Sequence, residues 1–176
     1  VEPFTEYDFV AHTMLSFEFS DGTAYVASVE ARREQGETYR PIRAALVPTY
    51  EYLVVWATER DMYANTVHWA GGELYMYPLD LTDRQAGALL WAMLDLTSDV
   101  ALNPRWYHTF FSNCANVLAR TVNEVRPGTL PRSVSWYLPG YADNYLHGLG
   151  FIAGYGDFAE AEARAREEEE ARAEEE

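Results

Sequence analysis

The sequence predicts an α+β domain in which an antiparallel sheet packs against helices, one of them carrying the single cysteine. Three observations predict it. Residues 9–32 alternate apolar and polar side chains on either side of Ser20-Asp21-Gly22, the pattern of a β-hairpin. Residues 50–58, YEYLVVWAT, form a β-branched and aromatic run suited to a buried strand. Two later segments place apolar residues at helical spacing behind good N-cap residues. At 176 residues, 48% of them hydrophobic, the chain is long enough for one self-sufficient core.

In the hairpin, Thr13, Leu15, Phe17 and Phe19 share one face, and His12, Met14, Ser16 and Glu18 share the other. The turn decides the register. A three-residue loop puts Gly22 in the left-handed position that glycine favours. It pairs Phe19 with Thr23, Phe17 with Tyr25, Leu15 with Ala27 and Thr13 with Val29, and sets His12 opposite Glu30. A two-residue Asp-Gly loop would pair His12 with Ala31 and turn Glu30 to the other face. The three-residue loop is the preferred register.

Residues 33–48 contain Gly36, Pro41 and Pro48 and read as a polar excursion over the surface. After the strand at 50–58, Thr58-Glu59-Arg60-Asp61 reads as a helix start, which Gly71-Gly72 breaks. Residues 73–79, ELYMYPL, read as another strand. Thr82 with Gln85 forms a capping box ahead of a helix whose stripe is Ala86, Leu89, Leu90, Met93 and Leu94. Asn103-Pro104 ends it. Ser112 or Asn113 caps the next helix, with Val117, Leu118, Thr121, Val122 and Val125 inward and Pro127-Gly128 as the stop. Residues 129–156 hold room for one short helix. Residues 157–176 are a low-complexity, charged stretch without an apolar face, either a solvated helix or disordered. The expected organisation is a domain over 1–156 and a tail over 157–176.

Composition excludes several functions. Net charge is −15, with 28 acidic residues against 13 arginines and no lysine, which argues against nucleic acid as a partner. The tail alone carries a net −7, so the body is only moderately acidic. One cysteine, Cys114, excludes an internal disulfide and a cysteine-rich zinc site. No spacing suggests a metal, no glycine-rich phosphate loop is present, and no cofactor is expected. No apolar run is long enough to span a bilayer. The chain opens inside a strand-like run without an initiator methionine, and is read as a processed or excised domain whose missing flanks could have held targeting or membrane segments.

Cys114 is the main candidate for chemistry. It falls in the first turn of a helix, where unpaired N–H groups and the macrodipole favour a thiolate. The alternative is a small buried hydrophobe. A cysteine nucleophile needs a base, and His12, on the polar face of the hairpin with Glu30 across from it, supplies an imidazole with an orienting carboxylate. The alternative there is a half-buried histidine, with Arg32 as the diagonal partner of a structural Glu30. His108 lies close in sequence but among bulky aromatics. The aromatic run WYHTFF reads as core or as substrate wall.

The order of histidine, strand carboxylate and cysteine at a helix start resembles the circularly permuted papain-like fold of the NlpC and lecithin:retinol acyltransferase superfamily. HTMLSFEFSDG, SVEARREQGETY, TERD and WYHTFFSNCANVL together resemble, over about residues 8–152, the extracytoplasmic domain of Lnb-type lipoprotein intramolecular transacylases. The resemblance implies attack by Cys114 on the sn-2 ester of a diacylated bacterial lipoprotein, a thioester acyl-enzyme, and transfer of the acyl chain to the lipoprotein's N-terminal cysteine amine. It implies His12 as general base, Glu30 as orienter and backbone amides near Asn113 and Cys114 as oxyanion donors. Tyr107, Phe110 and Phe111 are then the expected walls of an acyl groove, and Asn113 and Arg32 further substrate contacts. The expected place is the outer face of the bacterial envelope, as part of a membrane-anchored protein that meets lipid by apolar contact or through missing flanking helices. Two other functions compete. An NlpC-type cell-wall peptidase or amidase would need a polar cleft beside the cysteine, and a non-catalytic envelope binding module would leave Cys114 and His12 apart or sealed.

Overall fold

The computed structural model describes residues 1–3, 10–69, 71–152 and 156–175. It is an α+β domain with antiparallel sheets. A short pair joins β1 (Glu2–Pro3) to β2 (Ala11–His12), with Glu2 opposite His12. The main sheet has the order β3 (Met14–Glu18), β4 (Ala24–Ala31), β5 (Glu51–Thr58) and β6 (Arg105–Trp106), antiparallel throughout.

Glycine at the left-handed position sets the hairpin as expected. Gly22 has φ 83°, its N–H donates to the Phe19 carbonyl at 2.9 Å, and Phe19 N–H donates to Thr23. Leu15 faces Ala27 and Phe17 faces Tyr25. The β3–β4 ladder stops at Met14 opposite Ser28, so the expected Thr13–Val29 and His12–Glu30 backbone pairs do not form, because Ala11 and His12 turn away to pair with β1. Residue 9, the first of the expected hairpin, lies outside the described residues.

The excursion at 33–48 contains a helical turn and a half, α1 (Pro41–Leu46), started by proline at its first position. Thr58 caps α2 (Glu59–Tyr63), accepting from Asp61 N–H, and α2 runs on into a π-helical turn, Ala64–Trp69. Residues 73–79 form no strand. Leu74 and Tyr75 are both buried, so the run is held by side chains. Among the described residues its backbone bonds to Val1 and forms one bridge from Leu79 to Ile152, and Pro78 lacks the N–H a longer ladder needs.

The capping box of Thr82 and Gln85 starts α3 (Asp83–Leu102), and Asn103 ends it. Of the expected stripe, Leu89 and Met93 are buried while Leu94 faces solvent. Asn113 caps α4 (Cys114–Val125), the amphipathic helix whose Val117, Leu118 and Thr121 point inward. The main core is therefore a layer of α3 and α4 on the sheet, with Phe17, Ala27, Val29 and Tyr52 beneath Leu89, Met93, Val117 and Leu118. Cys114 belongs to the same cluster. Trp56 ties the layers by donating from its indole N–H to Thr97 at 2.9 Å. Met93 has no solvent exposure, so Met93→Ala leaves a cavity in this layer. It is expected to cost about 2–5 kcal/mol, read as a lowered midpoint in urea unfolding with unchanged slope.

Two 3-10 turns, Val134–Trp136 and Pro139–Tyr141, lead into α5 (Ala142–Gly148). The charged C-terminal stretch is a helix, α6 (Phe158–Glu175). Its polarity conceals a docking edge: Ala161 and Ala165, four apart, are buried, and Arg166 lies over the Tyr75 ring at 5.7 Å. Alanine is apolar enough to bury there and small enough not to look like a stripe.

Candidate active site

The loop before α4 fixes Cys114 at the helix start. Asn113 and Asn116 form a reciprocal capping box, each accepting the other's backbone N–H at 2.9–3.1 Å. Their side-chain amides reach back to Thr109 and Phe110 carbonyls, both at 2.9 Å. His108 tightens the same loop, its Nδ1 accepting from Phe110 and Phe111 N–H. Buried asparagines are costly unless fully bonded, and here each amide is engaged on both its oxygen and its nitrogen. The helix thus begins at one defined residue. Cys114 and Ala115 occupy its first two positions, where geometry leaves N–H groups without an intrahelical acceptor.

His12 meets this helix from β2. Its Nε2 lies 2.8 Å from Glu30 Oε1 and 2.6 Å from Ser28 Oγ, and Ser28 donates to the same carboxylate oxygen at 2.5 Å. The carboxylate and serine claim Nε2, which leaves Nδ1 as the ring nitrogen for the Cys114 thiol, with which His12 is in hydrogen-bonding and charge contact. The electrostatics follow from these contacts. Burial opposes a charged imidazole, but the Cys114 sulfur and then Glu30 outweigh it, raising His12 well above the ordinary histidine value. Burial likewise opposes a thiolate, yet His12, then Thr13, bring Cys114 below the ordinary cysteine value. The Glu30 carboxyl, pushed up by burial, is held down at about 2 by His12 and Ser28. Glu2, opposite His12 in β1, is raised by its own burial. The resting arrangement favours a thiolate–imidazolium pair backed by a carboxylate.

An apolar cavity of about 490 Å³ opens between β3, α3, α4 and the 3-10 region. Its wall includes Thr13 and Ala115, the chain neighbours of His12 and Cys114. Cys114 itself is only 2% exposed and sits just behind that wall.

Not every expected substrate contact reaches this place. Arg32 pairs with Glu51 at 3.0 Å and not with Glu30, because its backbone continues the β4–β5 edge beyond the site. Asn113 is 2% exposed, with its side chain and N–H spent on the capping box, so it offers a substrate nothing directly. Tyr107 packs into the core beside Cys114, under the Tyr39 ring, and burial with the nearby sulfur raises its hydroxyl pKa. Phe110 and Phe111 are exposed and ring-packed on His108, and Phe111 also packs on Tyr137. None of these five residues lines the cavity among the described residues. The aromatics were expected there because they precede Cys114 in sequence; the cavity instead follows the aliphatic face of the helix that comes after it. His147 contacts Phe158 on α6, away from the site. The side chain of His68 lies outside the described residues.

Sequence reasoning missed Ser28 and Thr13. Ser28 had a readable signal, since it shares a strand face with Glu30 two residues on. Thr13 had none: the chain bends between β2 and β3, and among the described residues its buried hydroxyl finds no nitrogen or oxygen partner and lies beside the Cys114 sulfur. Among the described residues no cluster of histidine, cysteine and carboxylates could hold a metal ion.

Fold and site together define an α+β domain organised around a cysteine–histidine–carboxylate constellation at a helix N-terminus. The chain belongs to the Lnb N-terminal periplasmic domain family, whose model matches residues 1–139. Membership implies a lipoprotein-processing role and an extracytoplasmic location. No curated protein and no solved structure matches the chain. Among the described residues no helix is long and apolar enough to cross a membrane.

Proposed function

We propose that this domain is a thiol acyltransferase that moves an acyl chain within a diacylated lipoprotein. The observation that carries the reading is a Cys114–His12–Glu30 trio, its shifts favouring thiolate and imidazolium, beside the lining of an apolar cavity. An acyl chain needs such a cavity, whereas a peptide needs a cleft with hydrogen-bonding edges, so the peptidase reading gains nothing here. Cys114, at 2% exposure, meets one of the two conditions set for a binding module, but it lies in contact with His12, and a purely binding role gives no reason for the two to shift each other's ionisation.

In the first half-reaction the Cys114 thiolate attacks the sn-2 ester carbonyl. A carbon–sulfur bond forms, and the ester carbon–oxygen bond breaks. His12 gives its proton to the departing glyceryl oxygen. The tetrahedral oxyanion lies within reach of the free N–H groups at the start of α4. In the second half the lipoprotein's α-amine attacks the thioester, His12 takes the amine proton, and the thiolate leaves. Glu30, with Ser28, keeps Nε2 protonated, which holds Nδ1 toward the sulfur throughout.

The transfer is intramolecular, so the product has the mass of the substrate. The test is therefore a synthetic diacylated lipopeptide in vesicles, with the product read by tandem mass fragmentation and by loss of the free amine. The expected product is an N-acylated lyso-lipopeptide. Release of free fatty acid alone, or cleavage of a peptidoglycan peptide in place of any lipid reaction, would sink the proposal.

A further inference from the structure

We infer that the cavity gauges the length of one acyl chain along α4; this rests on the acyl-transfer reading. Its α4 wall is Ala115, Leu118, Ala119, Val122 and Val125, ending at Arg126. These residues recur at helical spacing, so they form one continuous stripe that starts beside the nucleophile and runs to the helix end. Ala115 and Ala119 leave the near half of the stripe wide, and Leu89 of α3 and Trp136 face it. The stripe ends in charge: Arg126 caps α4, and Arg84 from the first turn of α3 borders the same cavity. A methylene gains by leaving water for the aliphatic wall and gains nothing beside a guanidinium.

The length follows from helix geometry. Ala115 to Arg126 spans about 16 Å at ~1.5 Å per residue. An extended hydrocarbon built from ~1.5 Å bonds advances about 1.3 Å per carbon. A lauroyl or myristoyl chain with its carbonyl at Cys114 therefore reaches the arginines, and longer chains project beyond the apolar wall. Val122 and Val125 are the residues that set the far part of this gauge.

The experiment uses Cys114→Ala protein and measures displacement of a fluorescent fatty acid by monoacylglycerols from octanoyl to stearoyl. Affinity is expected to rise about fourfold per added methylene and to level off near the lauroyl or myristoyl chain. Val125→Trp, at an exposed position that folding tolerates, brings the plateau to shorter chains and leaves octanoyl binding unchanged. Val122→Trp brings it further in. Affinity independent of chain length, or variants that weaken every chain equally, overturns the gauge. The same esters given to the Cys114 protein separate the two ideas when the thioester acyl-enzyme, formed as glycerol leaves, is read by intact-protein mass. Chain-gauged binding without acylation of Cys114 sinks the catalytic reading alone, and acylation with no length dependence in either variant sinks the gauge alone.

Discussion

Cys114→Ala abolishes N-acylation of the diacylated lipopeptide, with kcat/KM falling by about 10⁴-fold or more. The magnitude follows from the chemistry. Without the sulfur no thioester forms, and the amine would have to attack an unactivated ester across the cavity. His12 also loses the leading favourable influence on its charge, so its pKa returns toward the ordinary range. The alanine fits the space, since Cys114 packs among Val29, Val117 and Leu118 as a small apolar group. Thermal unfolding is thus expected to stay within a few degrees while turnover disappears. Acyl transfer that survives the substitution removes the mechanism.

Glu30→Gln is expected to lower kcat/KM by about 10³–10⁴-fold with little change in KM. The amide keeps the shape of the carboxylate but carries no charge, and its NH₂ can present a donor where His12 Nε2–H requires an acceptor. The ring is then free to take the wrong tautomer or to turn from the sulfur. The pH profile tests the cause. In the native protein the lowered pKa of Cys114 and the raised pKa of His12 both favour the ion pair, which is expected to set the two limbs of the profile. Activity falls on the acid side as the thiolate takes a proton, and on the alkaline side as the imidazolium loses one. Glu30 contributes to raising His12, so its loss moves the alkaline limb to lower pH and narrows the window. A Glu30→Gln variant with native turnover and an unmoved alkaline limb makes Glu30 a structural partner.

The start of the hairpin was legible because register is a local property, although its ladder ends at Met14 and His12 reaches Glu30 only through its side chain. Gly22 sets the loop length, loop length sets the pairing, and pairing sets which side chains of the two strands can meet. The same holds for the start of α4, where Asn113 and Asn116 declare the cap within four residues. By contrast, the expected strand at 73–79 failed on a non-local condition. Its composition suits a strand, but a strand needs a continuous neighbour to bond with, and no ladder forms on this run among the described residues. The alanines of α6 failed to announce their burial for a related reason: which face of a helix docks depends on what lies beside it.

By itself, the sequence determined the antiparallel hairpin and the two long capped helices, which depend on residues a few positions apart, and the candidacy of Cys114, His12 and Glu30. Only the tertiary structure decided that Ser28 and Thr13 join the trio, that Arg32 turns to Glu51, and that the aromatics before Cys114 stand outside the cavity. Turns, caps and periodicity are set by short-range sterics and hydrogen bonds. A cavity exists only where elements distant in sequence fail to fill the space between them, and here that space opened along the aliphatic face of α4.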